Sequence, residues 1–121
     1  MKANNLRLGN LFIEETTYNL IEVIGLEKDR IIFSGRFLEK WQAKPIPLTY
    51  YWLLKFGFKQ TGSTAYSFDK FICEYFLQDV IVSFRIKVNP ADSLFIKDIK
   101  HVHELQNLYF ALAGEELEVK R

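Results

Sequence analysis

The chain has 121 residues with 49% hydrophobic and 26% charged side chains, and it carries 11 Phe, 6 Tyr and 2 Trp against 3 Pro and 6 Gly. That composition supplies a real apolar core for one compact domain spanning residues 1–121 and excludes a disordered linker. Sixteen basic and fifteen acidic residues leave a net charge of +1, so neither a polyanion-coating basic protein nor an acidic nucleic-acid mimic is indicated.

Cys73 is the single cysteine, which excludes an intrachain disulfide and a thiolate zinc site and fits a reducing compartment. The N-terminal MKANNLRLGN lacks the apolar run of a secretory signal, and no stretch is apolar for long enough to span a bilayer. The reading is a cytoplasmic protein without a membrane partner.

Leu11 to Ile13, Tyr18 to Leu26 and Arg30 to Ser34 are β-rich runs joined by short polar links, and they predict a three-stranded antiparallel meander over about 6–36. Leu20 to Ile24 breaks the alternation of apolar and polar residues, so the second strand is expected to carry a bulge or to be covered on both faces. Gly9, Gly25 and Gly35 fall where bends or positive φ are tolerated. The spacing is compatible with an SH3-like meander.

Residues 37–47, with Pro45, Pro47 and Trp41, read as an ordered connector. Thr49 then offers an N-cap, residues 50–56 give two helical turns, and Gly57 supplies a left-handed terminus. Leu48, Trp52, Leu53 and Phe56 form one apolar stripe of this helix, with Trp52 expected as its anchor. A second β-meander is predicted over about 58–96: Phe58 to Thr61, Tyr66 to Phe68, Phe71 to Leu77, Val80 to Val88, a turn at Asn89-Pro90-Ala91-Asp92, and a short strand at Leu94 to Ile96. In the Val80 strand, Val82, Phe84 and Ile86 alternate with Ser83, Arg85 and Lys87, the pattern of a half-buried strand with one wet face. The last element is an amphipathic helix over about 100–113, with Val102, Leu105, Leu108, Tyr109 and Leu112 as its stripe and Gly114 as its stop. The fold class is therefore α+β, a mostly antiparallel sheet covered by two helices.

LRLGN at the start, PIPLT with WLLKFGF between Pro45 and Phe58, and VHELQNLYFALAGEEL from Val102 to Leu117 resemble an uncharacterised family of small bacterial proteins often encoded in prophage or other mobile-element regions. The resemblance spans nearly the whole chain. It implies a cytoplasmic accessory protein of a phage or mobile element, and it brings no catalytic or binding residues with it.

No residue constellation demands one activity. His101 and His103 with Glu104 are metal-ligand types, but helical positions i and i+2 point about 200° apart, away from the i, i+4 arrangement of a zinc helix. Only an extended start to the segment would bring them together, so no metal and no cofactor are assigned. Cys73 lies among Phe71, Ile72, Tyr75 and Phe76, the setting of a buried hydrophobe and not of an activated thiolate. No glycine-rich phosphate loop occurs, and no catalytic residue is assigned.

Two binding readings remain. Trp41, Tyr50 and Tyr51 are candidates for an exposed aromatic patch that docks a second copy of the chain or a phage or host protein. Alternatively, Arg85 and Lys87 on a wet strand, with Tyr75 nearby, could bind single-stranded nucleic acid, a reading that the near-zero net charge disfavours. The leading expectation is a non-enzymatic protein-interaction module.

Overall fold

The structure, a computed structural model, describes residues 6–14, 19–26, 31–34, 43–76 and 81–119. It confirms the α+β class: antiparallel sheets and two helices. Its residues gather into two compact units, one of residues 1–46 and 101–116, the other of 47–100 and 117–121.

The first unit contains β1 (Leu11–Glu14), β2 (Leu20–Leu26), β3 (Ile31–Phe33) and β4 (Ala43–Pro45) in the order β3-β2-β1-β4. The three-stranded meander is as the sequence predicts. β4 is an addition, formed by the end of the stretch read as connector. Pro45 cannot donate to a ladder, and it is accommodated because among the described residues β4 is an edge strand paired with β1 alone, with Phe12 opposite Pro45. Burial alternates strictly from Leu20 to Ile24, with Leu20 and Ile24 as exposed apolar residues, and the expected bulge comes at the end of that run, where the register with β3 shifts between Val23 and Gly25. A Cβ on Gly25 would lie 3.1 Å from Ile32 Cδ1, so the bulge and the glycine belong together. Leu6, Phe12, Ile21, Val23, Ile31, Phe33 and Ala43 form the core of this unit, with the Phe12 and Phe33 rings edge to face at 5.9 Å.

The helix α2 (Val102–Ala113) packs against β1. Its C-terminus closes on Gly114 at φ +77, whose N–H donates to the Phe110 carbonyl. The buried stripe is rotated from the expected one. Val102, Leu105, Gln106 and Tyr109 are buried, whereas Leu112 is exposed. Gln106 forms one edge of the buried stripe because its side chain serves two backbone groups: it accepts from the Leu11 N–H at 2.9 Å and donates to the Gly9 carbonyl at 3.0 Å. Asn10, also fully buried, donates to Asn107 at 2.8 Å and accepts from the Arg7 N–H at 2.7 Å. Gly9, at φ +90, makes the turn that permits both. Arg7 completes the join, donating to Asn107 and to the Gln106 carbonyl, pairing with Glu116 and lying 4.2 Å over the Phe110 ring.

The second unit is a five-stranded antiparallel meander in chain order: β5 (Lys59–Gln60), β6 (Ala65–Phe68), β7 (Phe71–Phe76), β8 (Ile81–Lys87) and β9 (Ser93–Ile99). Asp69 adopts φ +54 in the two-residue link between β6 and β7, the left-handed geometry that a tight hairpin needs. The Asn89 side chain accepts from the N–H groups of Ala91 and Asp92, each at 2.9 Å, which fixes the predicted turn. β9 is seven residues long, longer than the predicted strand at Leu94 to Ile96, and its pairing with β8 slips at Phe84 and Arg85.

The helix α1 (Tyr50–Lys55) precedes this meander. Thr49 is extended, as an N-cap residue should be, but its hydroxyl makes no capping hydrogen bond. The C-terminus carries the stop signal. Gly57 at φ +97 donates to the Leu54 carbonyl, and the Phe58 N–H donates to the Leu53 carbonyl, both at 3.0 Å. This is a complete Schellman closure, sealed by the buried Leu53 and Phe58. Leu48, Leu53 and Phe56 are fully buried, while Trp52 is only half-buried. Leu53, not Trp52, is therefore the anchor.

Candidate functional site

At 100° per residue, Trp52, Phe56 and Leu53 occupy one arc of α1, and Tyr50, Leu54, Tyr51 and Lys55 occupy the other. In the first arc Leu53 and Phe56 are fully buried and Trp52 is half-buried. The second is open: Tyr50, Tyr51 and Leu54 are 52%, 54% and 48% exposed. Two exposed tyrosines and an exposed leucine on adjacent positions of a two-turn helix form an aromatic, apolar face. Tyr51 and Trp52 meet edge to face at 6.3 Å, and the Lys55 ammonium lies over both rings, at 5.0 and 5.5 Å from their centres. Tyr50 meets Tyr75 edge to face at 6.5 Å. These contacts restrain the rings and reduce the side-chain entropy that docking would otherwise cost. Trp41, the third residue expected in this patch, lies outside the described residues.

The residues of the nucleic-acid reading fall on two faces of one sheet. Tyr75 pairs with Val82, and Arg85 pairs with Ile72. Val82 is fully buried on the covered face, so Tyr75 lies on that face and joins the α1 patch. Arg85 and Lys87 alternate with it onto the opposite face. Arg85 is engaged there, its Nε donating to the Ser93 hydroxyl at 2.8 Å and its guanidinium reaching the Ser93 carbonyl at 3.3 Å. Lys87 is exposed beside it. An aromatic platform and a cationic pair are thus both present but are not on one surface.

His101 is the N-cap of α2 and is extended, with φ −129 and ψ 153. The helical 200° separation therefore does not apply, and the two imidazoles lie 5.7 Å apart and nearly parallel. Their nitrogen lone pairs lie in those parallel planes and cannot converge on one ion. His101 Nδ1 is paired with Glu104 Oε1 at 2.8 Å, while His103 stacks on Phe12 at 4.9 Å. Among the described residues His103 Nδ1 is buried with no hydrogen-bond partner. Burial lowers the pKa of His103; Glu104 opposes this and His101 adds to it, both less strongly. The ring therefore works as a neutral packing element. Among the described residues, no group of three or more His, Cys, Asp or Glu is placed to hold a metal ion.

Cys73 is fully buried on β7, and desolvation pushes its thiol far above the ordinary range. Thiolate chemistry is thereby suppressed. No helix among the described residues is long and apolar enough to cross a membrane.

No protein-family model matches the chain, and no curated protein or solved structure is significantly similar to it. The open face of α1 was half legible in the sequence: Tyr50 and Tyr51 were identified, whereas Leu54 was not. Its signal was its helical position, 40° from Tyr50 and opposite the Trp52 and Phe56 arc.

Proposed function

We propose that the protein is a non-enzymatic interaction module that docks a partner protein on the open face of α1, through Tyr50, Tyr51 and Leu54. The observation that carries this reading is their joint exposure on one short helix whose opposite arc is buried. Tyrosine gives a large amphipathic contact at small entropic cost, and clustered aromatics dominate interface energetics. The setting of a phage or mobile element rests on the sequence resemblance alone, and it places the partner among phage or host proteins.

The test is site-specific photo-crosslinking in the bacterial host, with a benzophenone amino acid at Tyr51 and, for comparison, at Val88, which is 58% exposed in the β8–β9 turn region. The expected result is a discrete adduct from position 51 that is absent from position 88 and is lost when Leu54→Asp is added. An adduct at twice 14.3 kDa identifies the partner as a second copy. Equal adducts from both positions, or none from either, refute the docking role of α1.

A further inference from the structure

The face proposed for docking has a charge as well as a shape. From Lys40 to Phe68 the chain contains no Asp or Glu, while Lys40, Lys44, Lys55 and Lys59 fall within that span. The asymmetry is local, because the whole chain is nearly neutral. Two of these lysines, Lys55 and Lys59, lie on and beside α1. The helix has no acidic residue in its first turn and ends on Lys55, and β5, which packs beside α1, presents the exposed Lys59. Lys55 Nζ lies over the Tyr51 and Trp52 rings at 5.0 and 5.5 Å, so its positive charge borders the apolar surface of Tyr51 and Leu54.

We infer that the ligand of the α1 face is an acidic segment of a partner protein, in which an apolar side chain packs on Tyr50 and Leu54 and flanking carboxylates pair with Lys55 and Lys59. This rests on the docking reading above and specifies its partner class. Charge complementarity selects the sign of the partner and sets its encounter rate. The choice of a polypeptide over a single-stranded nucleic acid follows from how the rings are presented. Base stacking needs free ring faces, but one face of Tyr51 carries Lys55, Tyr50 is already in contact with Tyr75, and the third exposed member of the face is Leu54, which offers no ring. A mixed aromatic and aliphatic surface of this kind suits an aliphatic side chain.

The measurement is fluorescence anisotropy with the full chain and three labelled probes: a capped peptide of about twelve residues of Glu and Leu, its Lys and Leu counterpart, and an oligothymidylate of similar length. The Glu-Leu peptide is expected to bind at least about tenfold more tightly than the Lys-Leu peptide, and to weaken severalfold as salt rises from about 50 to 500 mM. Lys55→Glu should lower the affinity for the Glu-Leu peptide by about tenfold and raise that for its counterpart, which a merely unfolded variant cannot do. Equal binding of both peptides overturns the acidic partner while sparing the docking face. Tighter binding of the oligothymidylate overturns the polypeptide assignment. Failure of all three probes, with the position-51 adduct still formed in cells, overturns the charge argument; failure of both experiments overturns the docking reading itself.

Discussion

Gln106 is the residue on which the join between α2 and the start of the first sheet depends most sharply. It is 4% exposed, and its side chain satisfies the Leu11 N–H and the Gly9 carbonyl at once. Gln106→Leu keeps the volume and the helix propensity but leaves both backbone groups without their partner. An unsatisfied buried polar group costs about 1–3 kcal/mol, and a leucine in place of glutamine returns part of this through apolar burial, so the net loss is about 2–3 kcal/mol. At about 4 °C per kcal/mol, the melting temperature followed by circular dichroism falls by about 8–12 °C. Gln106→Glu separates the two bonds. The carboxylate still accepts from Leu11 but meets the Gly9 carbonyl acceptor to acceptor, and its burial raises its pKa. The variant is therefore destabilised at neutral pH and recovers as pH falls and the carboxyl gains a proton that it can donate to Gly9. A melting temperature for Gln106→Leu within about 2 °C of the parent would refute this account of the join.

Three further outcomes follow from the same geometry. Burial lowers the folded-state pKa of His103, so the unfolded chain takes up the proton first and stability declines as pH drops below the ordinary imidazole value of about 6.5; the fall in melting temperature between pH 7.5 and 5.5 should be smaller in His103→Phe, which keeps the stack on Phe12. In α1, Leu53→Ala should cost about 2–5 kcal/mol in a denaturant titration, whereas Tyr51→Ala, on the open arc, should cost less than about 1 kcal/mol. Cys73 should resist a thiol reagent at pH 8 in the native protein and react at once in guanidinium, because only unfolding exposes and ionises it.

The sequence displayed those parts of the fold that local rules govern. Gly57 and Gly114 sit in the left-handed region expected of helix stops, and the second strand carries its expected bulge between Val23 and Gly25. What it hid depends on partners distant in the chain. β4 contains Pro45, a residue that argues against a strand until its edge position is known. Gln106 lies at the edge of the buried stripe of α2, yet no local rule makes a buried glutamine favourable; the Leu11 and Gly9 backbone groups that satisfy it are nearly a hundred residues away. For the same reason Leu112 was expected inside and is outside. Trp52 shares the apolar stripe of α1 with Leu53, but it is Leu53 that is fully buried. Alternation along β8 places Arg85 and Lys87 on one face, whereas the side of Tyr75 depends on the register of β7, which pairs it with buried Val82.

On the reading proposed above, the open arc of α1 is where this protein meets its partner. Backbone amide chemical-shift mapping of the labelled full chain during titration with the Glu-Leu peptide tests it most directly. The account predicts shifts clustered at Tyr50, Tyr51, Leu54, Lys55 and Lys59 that vanish in Leu54→Asp while the remaining spectrum stays folded. Shifts centred instead on Arg85 and Lys87, or on the exposed Leu20 and Ile24 of β2, would contradict it.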